Sequence, residues 1–90
     1  MADMLVIYRV MPEDGEVEFE VLKEKSLECI KAYDSSVQVR QSDEADVGFG
    51  LKALRVTVQI DETKGSEELE NTLRELDEVG DVIVESMDRL

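Results

Sequence analysis

Few residues in this chain could do covalent chemistry. Its ninety residues include no histidine, so the side chain that usually serves as acid and base near neutral pH is missing. The single cysteine, Cys29, stands beside Ile30 in a stretch of helical spacing with no histidine to activate it. A small buried hydrophobe is expected there rather than a nucleophile. The run Ser42–Asp46 gathers three carboxylates, Asp43, Glu44 and Asp46. It lacks the Asx and glycine spacing of a calcium loop and has no His or Cys nearby, so a solvated hairpin loop is expected and no metal site. No Walker A, GxGxxG or paired Cys/His pattern occurs, and Gly48-Phe49-Gly50 is too short to cradle a phosphate. Neither bond-making catalysis nor a cofactor is expected.

What remains is recognition chemistry, concentrated in Val47–Ile60. Phe49 stands between two glycines, which free the backbone for φ > 0 and leave the ring unshielded at a strand entrance. The chain has only two Phe and two Tyr. One of these four rings set in a glycine hinge points to display rather than core filling. After the hinge, Leu54, Val56, Val58 and Ile60 alternate with Arg55, Thr57 and Gln59, the period-2 pattern of a strand with one buried face.

The elements that must hold this stretch follow from the rest of the chain. Met4–Met11 reads as a first strand, apolar on both faces except Arg9 and stopped by Pro12. A helix is predicted from about Val17 to Ala32, with Phe19, Leu22, Ser26, Cys29, Ile30 and Tyr33 near helical spacing, acids at its start and Lys31 near its end. Asp34-Ser35-Ser36 turns into a polar second strand, Val37–Gln41. The loop Asp61–Gly65 leads to Ser66 as an N-cap. A second helix follows, with Leu69, Leu73 and Leu76 buried and Val79-Gly80 as its end. The last strand is Asp81–Leu90. The order β-α-β-β-α-β is that of an α+β, ferredoxin-like sandwich: a four-stranded antiparallel sheet with both helices on one face, strands one and three central. Val6, Tyr8, Val10, Leu54, Val56, Val58 and Ile60 form the inward set; Arg55, Thr57 and Gln59 lie on the open face beside Leu5 and Ile7.

Ninety residues make one domain, 1–90, which buries only about 60–65% of its unfolded surface. Twenty-three acids against ten bases give a net charge of −13. That charge argues against direct nucleic-acid binding and against anionic membranes, and steers the chain toward a basic partner. Met4–Met11 is too short for a signal peptide or a membrane span, and a lone cysteine needs no oxidising compartment, so a cytoplasmic protein is expected.

Three segments carry a resemblance: Val10-Met-Pro-Glu13, Phe49-Gly-Leu-Lys-Ala-Leu54 and Met87-Asp-Arg-Leu90. They look like the short archaeal type of translation elongation factor 1-beta and the C-terminal exchange domain of its eukaryotic relatives, over essentially the whole chain. The resemblance implies the ferredoxin-like fold and guanine-nucleotide exchange on the GTPase elongation factor 1-alpha, with no cofactor. It implies a partner surface of Gly48, Phe49, Gly50, Leu51 and Lys52 together with Met87, Asp88, Arg89 and Leu90, on a protein monomeric when free. Phe49 matches the aromatic that enters a pocket of the GTPase; Arg89 stands where the family often has lysine, close to the GTPase's magnesium. Gly48 departs from a common alanine and loosens the loop, and arginine for lysine changes reach and hydrogen-bonding geometry. The rival readings are a small-ligand regulatory module or an adaptor using the open sheet face, since this fold hosts many functions.

Overall fold

Two strands with one buried apolar row each form the centre of the sheet. β1 (Asp3–Pro12) and β3 (Lys52–Asp61) pair antiparallel from Asp3 opposite Asp61 to Val10 opposite Leu54. β2 (Gln38–Asp46) flanks β3 and β4 (Val79–Arg89) flanks β1, giving the order β2-β3-β1-β4. Helices α1 (Phe19–Tyr33) and α2 (Ser66–Arg74) pack on one another and on the central strands. This is the ferredoxin-like α+β arrangement. The computed structural model describes residues 3–48, 50–64 and 66–90; the expectations placed on Phe49 and Gly65 lie outside them.

The core is the inward row anticipated from the alternation. Val6, Tyr8, Val10, Leu54, Val56, Val58 and Ile60 are buried together with Leu22 and Ile30 of α1 and Leu69 and Leu73 of α2. Each such aliphatic chain contributes about 1.5–3 kcal/mol relative to exposure. Tyr8 keeps its polar end satisfied: its hydroxyl donates to the Ser66 carbonyl at 2.8 Å and so ties the start of α2 to the central strand. Burial drives its phenol far above the ordinary range. Ser26 is fully buried on the α1 stripe, and its hydroxyl finds no hydrogen-bond partner among the described residues.

Four details differ from the sequence reading. The acidic run Ser42–Asp46 is not a loop but the second half of β2, laddered to β3 from Ser42 opposite Val56 to Asp46 opposite Lys52. Its charges are accommodated because β2 is an edge strand and cations stand across from them: Asp43 opposite Arg55, and Lys52 within 3.5 Å of Asp46 and 3.7 Å of Glu44. Such charges also discourage edge-to-edge pairing. Ser66 is the first residue of α2 rather than its cap. The helix ends at Arg74, not at Val79-Gly80. Arg74 reaches Glu70 at 2.8 Å, Asp81 at 3.2 Å and the Val82 carbonyl at 2.7 Å, binding the helix end to β4. Gly80 instead is the extra residue of a bulge where β4 passes Met11 and Pro12; a Cβ there would sit 2.8 Å from the Pro12 carbonyl oxygen. Leu76 and Cys29, expected buried, are partly exposed at the edge of the core. The Cys29 thiol lies 3.8 Å from the Thr72 carbonyl, and desolvation followed by the charge of Glu75 pushes it up.

Candidate functional site

The proposed partner residues fall into two groups, and the strand register sets where each lies. The β2–β3 hairpin is closed by Val47 N–H donating to Leu51 O at 3.2 Å and Leu51 N–H donating to Gly48 O at 3.0 Å. Gly48 and Gly50 take φ of 89° and 77°, the left-handed region that the sequence reading assigned to these glycines. Both are exposed, Leu51 is half-buried and Lys52 is exposed. Asp46 anchors the turn by accepting the Gly48 N–H at 3.0 Å. That bond, then the charge and hydrogen bond of Lys52, hold its carboxyl below the usual range.

The second group lies at the far end of the sheet. Arg89 pairs with Met4, whose other neighbour is Ile60, whereas the hairpin joins β3 at Lys52. Eight residues of strand separate the two levels, about 26 Å at 3.3 Å per residue. The terminal segment is laddered to the end: Met87 pairs with Val6, Asp88 with Leu5 and Arg89 with Met4, and Leu90 N–H donates to Asp3 O at 2.9 Å. Met87 and Leu90 are nonetheless 54% and 62% exposed, large apolar side chains offered to solvent.

A bulge decides which way these side chains point. Tyr8 pairs with Val84 but Ile7 pairs with Ser86, so Glu85 is an extra residue in β4. Beyond it Met87 shares the face of Val6, under α2, and the Ser66 hydroxyl lies 3.3 Å from its sulfur. Arg89 shares that face, and its Nε stands 3.0 Å from Glu62 in the β3–α2 loop while the side chain stays 77% exposed. Met4, Glu62, Ser66, Met87 and Arg89 border a groove of about 660 Å³. On the opposite, open face, Glu85 bridges two cations: it pairs with Arg9 and, at 2.7 Å, with Arg55. Burial pushes the Glu85 carboxyl up, but hydrogen bonds and charge from Arg55 and Arg9 outweigh it and hold the carboxyl below its ordinary range.

Sequence reasoning named the hairpin and the terminal residues but missed Glu62 and Glu85. Glu85 left a signal, being the one acid that follows the apolar run Val82-Ile83-Val84, as Arg9 and Arg55 are single cations in apolar strands. Glu62 left none, because a loop acid among twenty-three carries no mark.

Among the described residues no helix is long and apolar enough to cross a membrane. Residues 5–90 match the family described as the EF-1 guanine nucleotide exchange domain. The chain is 41% identical over 91 residues to Elongation factor 1-beta of Methanosphaera stadtmanae, covering all of this chain and 99% of that one. It is 39% identical over 92 residues to Elongation factor 1-beta of Staphylothermus marinus, with the same coverage. Elongation factor 1-beta of Methanocaldococcus jannaschii is 37% identical over 83 residues, 91% of each chain. The chain therefore belongs to the EF-1 guanine nucleotide exchange domain family, and its function is that of an exchange factor promoting GDP release from the EF-1 GTPase during polypeptide elongation.

Proposed function

We propose that the chain acts on elongation factor 1-alpha through two contacts at opposite ends of its sheet, as a monomer in the cytoplasm. The Gly48–Lys52 hairpin supplies Phe49 as an apolar insert. Met87–Leu90 supply a half-apolar seat with Arg89 beside the partner's magnesium and phosphates. The observation that carries this reading is the terminal segment: a strand laddered to Leu90 holds one cation at the rim of a groove. Its ion pair with Glu62 keeps the guanidinium at the groove, and with 77% of the Arg89 side chain exposed the pair is given up at little cost.

Exchange of this kind needs no acid or base. The factor must bind the nucleotide-free GTPase better than the loaded one, and the coupling is reciprocal. Weakening GDP a thousandfold takes roughly 4 kcal/mol of differential binding. A buried phenyl ring contributes on the order of 2–3 kcal/mol, and a cation competing with magnesium supplies the remainder. Phe49→Ala tests the first contact. The melting temperature stays nearly unchanged and fluorescent-GDP release slows about tenfold or more. A core ring would instead cost about 3–5 kcal/mol of stability on truncation; such a loss with normal exchange would remove Phe49 from the contact.

A further inference from the structure

Two methionines border the groove at the chain end, and water reaches them unequally. Met4 is half-buried and packs against the core, whereas Met87 is the most exposed methionine among the described residues. Met11, near the other end of β1, is half-buried as well. A thioether sulfur has two lone pairs and is a weak acceptor; the Ser66 hydroxyl donates to one of those on Met87 at 3.3 Å. The remaining oxidisable group is the Cys29 thiol, set back at the edge of the core. Burial and the charge of Glu75 keep it protonated near neutral pH, and the thiolate is the reactive form. Met87 is therefore the group most open to an oxidant in solution, and it lies on the same face of β4 as Arg89.

We propose that Met87 is an oxidation site of the free factor, and that its sulfoxide weakens engagement of the GTPase until the thioether is restored. This rests on the reading that Met87–Leu90 seat on elongation factor 1-alpha. The oxidant is hydrogen peroxide. A sulfur lone pair attacks one peroxide oxygen, and the S–O bond forms as the O–O bond breaks. The departing hydroxide takes the proton of the transferred oxygen and leaves as water, so sulfur loses two electrons and peroxide gains them. The product is a polar side chain in place of a flexible apolar one. Under a partner its oxygen gives up water, which costs about tenfold in affinity where no donor replaces it. Met87 carries no charge toward the phosphates, so its contact contributes to binding uniformly. Its loss raises the concentration of factor required and leaves the maximal rate.

The test treats the full chain with dilute hydrogen peroxide and follows each methionine by peptide mass analysis. Fluorescent-GDP release from elongation factor 1-alpha is then measured over a range of factor concentrations. Met87 is expected to gain an oxygen before Met4 and Met11. The concentration giving half-maximal release is expected to rise about tenfold, with the maximal rate within about twofold of the untreated chain. Methionine sulfoxide reductases with a dithiol reductant are expected to reverse the change. Met87→Leu, compared with itself before treatment, is expected to show no effect of peroxide. Oxidation of Met4 or Met11 ahead of Met87 overturns the proposal, as does an equal peroxide effect in Met87→Leu. Unchanged release from a chain oxidised at Met87 overturns it too. Nucleotide-free elongation factor 1-alpha, added in excess before the peroxide, keeps the two ideas apart. It is expected to slow oxidation of Met87 and not of Met11. Equal oxidation of Met87 with and without the GTPase would refute the seat itself and the proposal with it. Protection together with unchanged release would leave the seat standing and overturn the proposal alone.

Discussion

At the scale of the residue, polar groups out of place are as informative as apolar ones in place. Ser26 occupies a position on the α1 stripe where Leu22 and Ile30 are its buried neighbours, and its hydroxyl has no partner among the described residues. The stripe was legible in sequence because its spacing is geometric. That the hydroxyl would remain unpaired was not, because this depends on what packs across from it. Alanine removes an uncompensated hydroxyl and is the better helix former. Ser26→Ala is therefore expected to stabilise the fold by about 0.5–1.5 kcal/mol in urea titration, with exchange unchanged; a loss of stability would show that the hydroxyl is satisfied. Phe49 and Arg89 were named from their settings, a glycine hinge and a lone terminal cation. Glu62, which meets Arg89, could be found only once the β3–α2 loop was seen beside the end of β4.

At the scale of the element, the central strands were read correctly because alternation is a direct image of the sheet. The errors came where one residue type serves two structures. Val79-Gly80 has the chemistry of a helix end, yet Gly80 is required by a close backbone approach to Pro12 between strands far apart in sequence. Ser42–Asp46 has the composition of a loop, yet ladder bonds and facing cations hold it as an edge strand. Neither partner is visible from local sequence. Gly80→Ala forces its Cβ against the Pro12 carbonyl and is expected to cost about 1–3 kcal/mol. A thermal melt checks this, and an unchanged midpoint would mean that the bulge relaxes freely. The bulges at Arg40, Gly80 and Glu85 were invisible for the same reason: each is a relation between two strands.

At the scale of the whole molecule, stability should be independent of pH across neutrality, since the chain has no histidine. The carboxyls of Asp34, Asp46, Asp61 and Glu85 are all held below their ordinary values: Asp34 by Lys64 and Ser36, Asp61 by Thr63, Asp46 by Gly48 and Lys52, Glu85 by its two arginines against burial. A lowered carboxyl contributes stability above its unfolded value, near ~4. That contribution is lost as pH falls through the lowered folded value. The raised Cys29 thiol and Tyr8 phenol act in the opposite sense. Their contribution is complete below the unfolded values of about 8.5 and 10 and is lost above them. Melting temperature plotted against pH should thus be flat from about 6 to 8, falling below ~4 and above ~9; an inflection near 7 would contradict this. The two contacts proposed for it lie at opposite ends of the sheet, so a defect at one end should leave the other able to bind. That makes the charge of Arg89 the most direct test of exchange by competition with magnesium. At fixed magnesium, fluorescent-GDP release from elongation factor 1-alpha should be largely kept with Arg89→Lys and lost with Arg89→Glu, while binding weakens only modestly. Equal release rates for Arg89→Glu and the unaltered protein would contradict the account.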